Sequence, residues 1–219
     1  CFEGTAELPM GTMGHAAFSA TASCGNFYVM TALPGAPSPI DGAETFAGLV
    51  ANQPAEFESA MTGADDTAVI IYTSGTTGKP KGAELSHSNL FLNAMLCADF
   101  LETSHKDVQI IVLPLFHVFA LTVLMLAGVY RSTTNVLVPR FDAAAVFDAM
   151  EKHSVTVFAG VPTMYWALLD HPADDAAREA VARNLRIAVS GGASLPIKVL
   201  EEFEERFGVP IYEGYGMSE

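Results

Sequence analysis

From Ala68 onward, short β-branched runs alternate with amphipathic stretches, and no other feature constrains the fold as tightly. The strand candidates are Ala68–Tyr72, Val108–Leu113, Asn135–Val138, Val155–Phe158, Leu185–Val189 and Pro210–Tyr212. Between them lie helix signals. Ser86 is placed to cap a helix running to about Leu101, and Asp142 to cap one bearing Val146, Phe147 and Met150. Pro162 opens a third, and Ser194 with Pro196 starts a fourth that stops at Gly208. In that fourth helix Ile197, Leu200, Phe203 and Phe207 share one face, and the charged residues populate the others. Such alternation predicts an α/β fold, a mostly parallel sheet flanked by helices, with ligands at the carboxyl ends of the strands.

Residues 1–67 read differently. No Lys or Arg occurs before Lys79, and Ala32–Asp41, with Pro34, Pro37 and Pro39, predicts a surface loop. The expected organisation is a leading segment over 1–67, with the loop at 32–41, and an α/β core over 68–219. With 25 acidic against 11 basic side chains, a net charge of −14, the chain is a poor partner for nucleic acid. Cys1, Cys24 and Cys97 sit at no metal-ligand spacing and read as free thiols of a reducing cytoplasm. Val108–Tyr130 is apolar enough to suggest a membrane span. Pro114 divides it into a buried strand and a loop leading to a buried helix, so no transmembrane segment is expected, and no signal peptide is visible.

The most specific segment follows the first strand: Thr73-Ser74-Gly75-Thr76-Thr77-Gly78-Lys79-Pro80-Lys81-Gly82. Its glycines allow tight turning, so that successive N–H groups point into one concavity, while hydroxyls and two ammonium groups add donors and charge. That combination suits a polyphosphate. It is not a Walker loop, because Pro80 follows Gly78-Lys79 where Ser or Thr is required. A polar β-hairpin with turn glycines is the bland alternative; the density of donors favours the phosphate cradle.

This segment resembles the phosphate-binding signature of the adenylate-forming superfamily of acyl-CoA synthetases, luciferases and peptide-synthetase adenylation domains. Three further stretches fit in the same order. Pro114-Leu115-Phe116-His117 looks like the substrate-loop motif, Ser190-Gly191-Gly192-Ala193 like the nucleotide-site turn, and Tyr215-Gly216-Met217-Ser218-Glu219 like the Tyr-Gly-x-Thr-Glu motif with Ser218 for Thr. The resemblance implies that Thr73, Ser74, Gly75, Thr76, Thr77 and Gly78 wrap the β- and γ-phosphates of ATP, with Lys81 a point charge on them. It implies that Thr76 and Glu219 reach Mg²⁺, and that Gly191, Gly192 and Ala193, with Glu213, Gly214, Tyr215 and Gly216, receive the nucleotide. Ser218 would donate to the α-phosphate, and His117 would orient the substrate carboxylate. Lys81, His117, Ser218 and Glu219 form the implied catalytic set.

Other classes fit less well. No Gly-x-Ser-x-Gly elbow is complete, and there is no His-Glu-x-x-His or Cys pair for zinc. Phe116-His117-Val118-Phe119-Ala120-Leu121 offers no acid to pair an amino group, which disfavours an amino-acid substrate. The stretches around Val138–Asp142 and Phe158–Leu169 look like bacterial long-chain fatty acid–CoA ligases, with Phe116, Val118 and Phe119 bordering an acyl channel. The expectation is therefore a fatty acid–CoA ligase using ATP, Mg²⁺ and CoA. An aryl- or medium-chain acyl-CoA ligase and a nucleotide-binding module without turnover are the alternatives. The family's C-terminal domain has no counterpart among these residues, so the chain alone is expected not to complete the reaction, and exposed apolar surface to favour a homo-oligomer.

Overall fold

In the computed structural model, which describes residues 1–75 and 78–219, the chain forms two units, Cys1–Met61 and Thr62–Glu219. In the smaller unit, helix α1 (Met10–Ser19) precedes two short parallel strands, β1 (Tyr28–Val29) and β2 (Glu44–Thr45), and a one-turn helix, α2 (Phe46–Val50). His15, Phe18 and Phe27 cluster there, with ring centroids 5.3 to 6.1 Å apart. Residues 32–41 cross from β1 to β2 without helix or strand.

The larger unit opens with an antiparallel hairpin, β3 (Thr67–Thr73) and β4 (Lys81–Ser86), whose last rung pairs Thr73 with Lys81. The sequence reading missed β4, because Lys-Gly-Ala-Glu-Leu-Ser has no β-branched residue. Alternation still turns Ala83 and Leu85 inward while Gly82 and Glu84 stay exposed. The bland hairpin reading thus holds for the described arms of the glycine-rich segment, where Thr73 pairs with Lys81 and Tyr72 with Gly82, and it does not exclude a phosphate-binding tip. Ser86 then caps α3 (His87–Phe100) as expected. Its hydroxyl accepts the Asn89 amide at 3.2 Å, and the Asn89 side chain returns an acceptor to the Ser86 amide at 3.0 Å.

Five parallel strands follow: β5 (Val108–Ile111), β6 (Thr134–Leu137), β7 (Val157–Gly160), β8 (Ile187–Gly191) and β9 (Ile211–Gly214), in the order β6-β5-β7-β8-β9. The last three run on into Gly160, Gly191 and Gly214, beyond their expected ends, because ladder pairing overrides the turn preference of glycine. Alternate residues serve two cores. Ile110, Phe158, Ala188 and Ile211 face α5 (Ala143–Lys152), α6 (Pro162–Asp170), α7 (Asp175–Asn184) and α8 (Ile197–Phe207). Ile111, Val157, Ala159 and Val189 face the other side, with Ala120 and Leu124 of a π-helical segment, Phe119–Leu126. That segment continues as α4 (Ala127–Arg131), and α3 packs on the pair through Ala94, Ala98 and Ala127. Among the described residues no helix is long and apolar enough to cross a membrane.

Two helical expectations need correction. Helix α7 was not anticipated; Asp174 caps it, but Val181 is its one buried residue and the rest of its inward face is alanine, so its apolar periodicity is carried by small side chains. In α8 the buried face is Val199, Phe203 and Phe207, whereas Ile197 is 73% exposed in the first turn, and Pro196 rather than Ser194 occupies the cap position.

At the amino ends of the strands, Arg186 grips Asp107 with two hydrogen bonds, at 2.8 and 2.6 Å. Thr156 and the Ser104 amide each add another at 2.7 Å. The starts of β5, β7 and β8 are thereby tied together. Burial alone would raise the Asp107 carboxyl, but the bonds from Arg186, Thr156 and Ser104 outweigh it and hold it at about 2.

Candidate active site

At the opposite end, where β8 and β9 stop, a cavity of about 690 Å³ opens between the sheet, α3 and the π-helical segment. That volume is in the range of small-ligand sites, and its position follows the carboxyl-end rule for parallel sheets. Its floor depends on Gly191: a Cβ there would stand 3.1 Å from the Phe119 ring and 3.2 Å from the Gly214 carbonyl. Gly192 follows at φ +80°, so the chain turns sharply away from β8.

One wall is the π-helical segment, through Val118, Phe119, Thr122 and Val123; the Thr122 hydroxyl is turned back onto the Val118 carbonyl at 2.8 Å and adds little polarity. His117 lies beside this wall, and its Nδ1 accepts the Phe119 amide at 3.2 Å. In the neutral ring the proton then sits on Nε2. Phe116, expected on the channel, is 81% exposed and does not line the cavity. Its neighbours take that place because the turn before the π-helical segment directs it to solvent.

The other wall was not foreseen. Asn93, Leu96, Cys97 and Phe100 of α3 line it, and Phe100 meets Tyr212 edge-on at 6.3 Å. Burial pushes the Cys97 thiol up, so it stays protonated. The sequence carried one signal for this wall, the polar positions Asn89, Asn93 and Cys97 spaced four apart on an apolar helix.

Of the expected nucleotide residues, Gly191, Gly192, Glu213 and Gly214 meet at the cavity floor. Tyr215, Gly216, Ser218 and Glu219 rim it, and Tyr215 is 93% exposed with both ring faces open. Ala193 is exposed just beyond the turn and does not line the cavity. Glu213 has a partner already: its carboxylate accepts the Leu195 amide at 3.0 Å.

The described residues at the end of the hairpin are not part of that lining. Thr73 and Lys81 form the closing rung, Ser74, Gly75 and Gly78 lie beyond it, and none of these five borders the cavity. Thr76 and Thr77 lie outside the described residues. Gly75 (φ +64°) must be glycine, since a Cβ would fall 2.3 Å from the Lys79 carbonyl. Among the described residues no cluster of three His, Cys, Asp or Glu side chains forms a metal cage.

The profile of the AMP-binding enzyme family matches residues 24–219, and the chain belongs to that family. The match reaches into the smaller unit, where no motif was legible. A long-chain-fatty-acid–CoA ligase of Bacillus subtilis is 38% identical over 70% of this chain and 27% of its own length. A feruloyl-CoA synthase of an Amycolatopsis species is 38% identical over 72% of this chain and 31% of its own. A 2-succinylbenzoate–CoA ligase of Bacillus subtilis and a malonate–CoA ligase of Arabidopsis thaliana are also related, at 36% and 34% identity over 71% and 74% of the chain. This chain therefore spans 27% to 31% of the length of such relatives. ATP-bound MatB of Rhodopseudomonas palustris superposes with a TM-score of 0.79 at 33% identity, covering 96% of this chain and 39% of that structure.

Proposed function

We propose that this chain carries the ATP- and acyl-binding core of a fatty acid–CoA ligase. One observation carries the choice of substrate: the wall formed by Val118, Phe119 and Val123 is apolar, and no Lys or Arg lines the cavity among the described residues. A malonate or 2-succinylbenzoate substrate brings a second carboxylate, which would be costly to bury without a cation. A hydrocarbon tail needs only apolar surface, and each buried methylene contributes about 0.8 kcal/mol. The aromatic trio Phe100, Phe119 and Tyr212 favours an aryl acid as the second reading.

In the proposed reaction a carboxylate oxygen bonds to the α-phosphorus of ATP as the bond to the β-phosphate breaks, giving acyl-AMP and pyrophosphate. The CoA thiolate then attacks the acyl carbon and AMP leaves. Gly191 and Gly192 would admit the adenosine, Tyr215 would stack on the base, and the Ser218 hydroxyl would donate to the α-phosphate as its charge grows. His117 Nε2–H would orient the carboxylate at the cavity mouth. Thr73, Ser74, Gly75, Gly78 and Lys81, with Thr76 and Thr77, would cradle the outer phosphates. Mg²⁺, when bound, would neutralise phosphate charge. Thr76 and Glu219 would hold it, and a single exposed carboxylate without an acidic cage fits an ion kept largely by phosphates and water. All three cysteines are free, which supports a reducing, cytoplasmic setting.

Phe119→Asp should reduce fatty acid activation at least about tenfold, because it places an unpaired carboxylate in the apolar wall. Phe116→Asp, altering an exposed side chain outside the cavity, should leave the rate within about twofold. Equal rates for Phe119→Asp and the wild type would remove this wall from the acyl site.

A further inference from the structure

The backbone from Val189 to Leu195 is held at both ends by side chains of other elements. At one end the Tyr165 hydroxyl, on α6, donates to the Val189 carbonyl at 2.7 Å. Tyr165 is wholly buried and set edge-on against Phe158 and Phe203, with ring centroids 5.2 and 5.0 Å away, so its reach is fixed by packing. At the other end Glu213, the β9 partner of Ser190, accepts the Leu195 amide at 3.0 Å. Beyond Gly191, where the β8 ladder ends, the chain has little of its own to fix it. Among the described residues, Ala193, Ser194 and Leu195 donate no backbone-to-backbone hydrogen bond, and α8 begins without a side-chain cap.

We propose that Tyr165 and Glu213 are positioning residues which hold the Ser190–Leu195 turn in the shape that receives the adenosine half of the nucleotide. The inference rests on the ATP reading above. It changes the role of Glu213, which acts through the Leu195 amide and not as a ligand of the nucleotide. A turn ordered beforehand does not have to be ordered on binding, so the clamp shows up as affinity. Its effect is confined to the nucleoside half, because both side chains act on the Val189–Leu195 backbone and neither bonds to the hairpin residues proposed to hold the outer phosphates.

Two measurements on the same variants test this. In the ligand-free protein, hydrogen exchange across residues 190–196 should quicken about tenfold in Glu213→Ala and return towards wild type in Glu213→Gln, which keeps an acceptor oxygen. In titrations, Glu213→Ala and Tyr165→Phe should weaken adenosine and ATP by the same factor, about tenfold, and leave tripolyphosphate unchanged, with Glu213→Gln close to wild type. A general loss of structure would instead weaken tripolyphosphate as well and would not be rescued by Gln. Unchanged exchange in Glu213→Ala, or unchanged adenosine affinity beside a wild type that binds, would overturn the clamp and leave the ATP reading standing. A wild type that binds neither adenosine nor ATP would defeat that reading, and this inference with it.

Discussion

Replacing Lys81 with alanine is expected to slow acyl-adenylate formation by about 10²- to 10³-fold, the loss typical of one charged contact made in the transition state. Lys81 is the first residue of β4 and pairs with Thr73 across the closing rung of the hairpin, so its position relative to the tip is set by the ladder. Its stem also runs beside Gly75, where a Cβ would lie 3.6 Å from Lys81 Cγ. An ammonium carried there bears on whatever the tip binds. The proposed role is neutralisation of departing pyrophosphate, so the loss should appear in the rate of adenylation, with acyl-substrate KM little changed. Single-turnover formation of acyl-AMP measures it. A variant as fast as wild type would show that the hairpin tip does not hold the phosphates.

Asp107→Asn should cost about 3 kcal/mol of stability, because Arg186, Thr156 and the Ser104 amide all direct donors at a carboxylate whose side chain is 4% exposed. The partly exposed Arg186 guanidinium, at 41%, can recover some hydration, which keeps the loss at the lower end for a broken buried pair. The pH dependence has a definite sign. Asp107 titrates at about 2 in the folded protein, below the ordinary value of about 3.9 in the unfolded chain. Its contribution, about 2 kcal/mol, is complete above pH ~4 and is lost as the pH falls towards ~2. Urea melts between pH 7 and 2 should show this loss in the wild type and a flatter profile in Asp107→Asn. Parallel profiles would refute the linkage. The pair lies at the amino ends of the strands, away from the cavity, so nucleotide affinity should not follow it.

What could be read in advance was local. Ser86 and Asp142 cap their helices, and Gly208 ends α8 in a left-handed conformation, because each of these depends on residues three or four apart. The four motifs were legible for the same reason, each being contiguous. Helix α7 escaped because its inward face is mostly alanine, Ala177 and Ala182 beside Val181, with no large apolar residue to mark it. Strand β4 escaped because its pairing with β3, not its own composition, makes it a strand. The Glu213–Leu195 clamp depends on how separate elements pack, and no spacing along the chain announces it; the α3 wall left only the four-residue spacing of Asn89, Asn93 and Cys97. Phe116 illustrates the converse: it sits inside a recognised motif, yet the turn it occupies, closed by the His117 amide on the Pro114 carbonyl, leaves it in solvent.

The most direct test of the central claim is ATP–pyrophosphate exchange with the acid varied, from short to long fatty acids, then ferulate, 2-succinylbenzoate and malonate. An apolar wall of Val118, Phe119 and Val123, with no Lys or Arg lining the cavity among the described residues, predicts exchange stimulated by fatty acids, with kcat/KM rising by up to about fourfold per buried methylene until the cavity is filled. Malonate and 2-succinylbenzoate should stay near the acid-free background. Exchange driven by malonate as strongly as by any fatty acid, or exchange that no acid stimulates, would contradict the account.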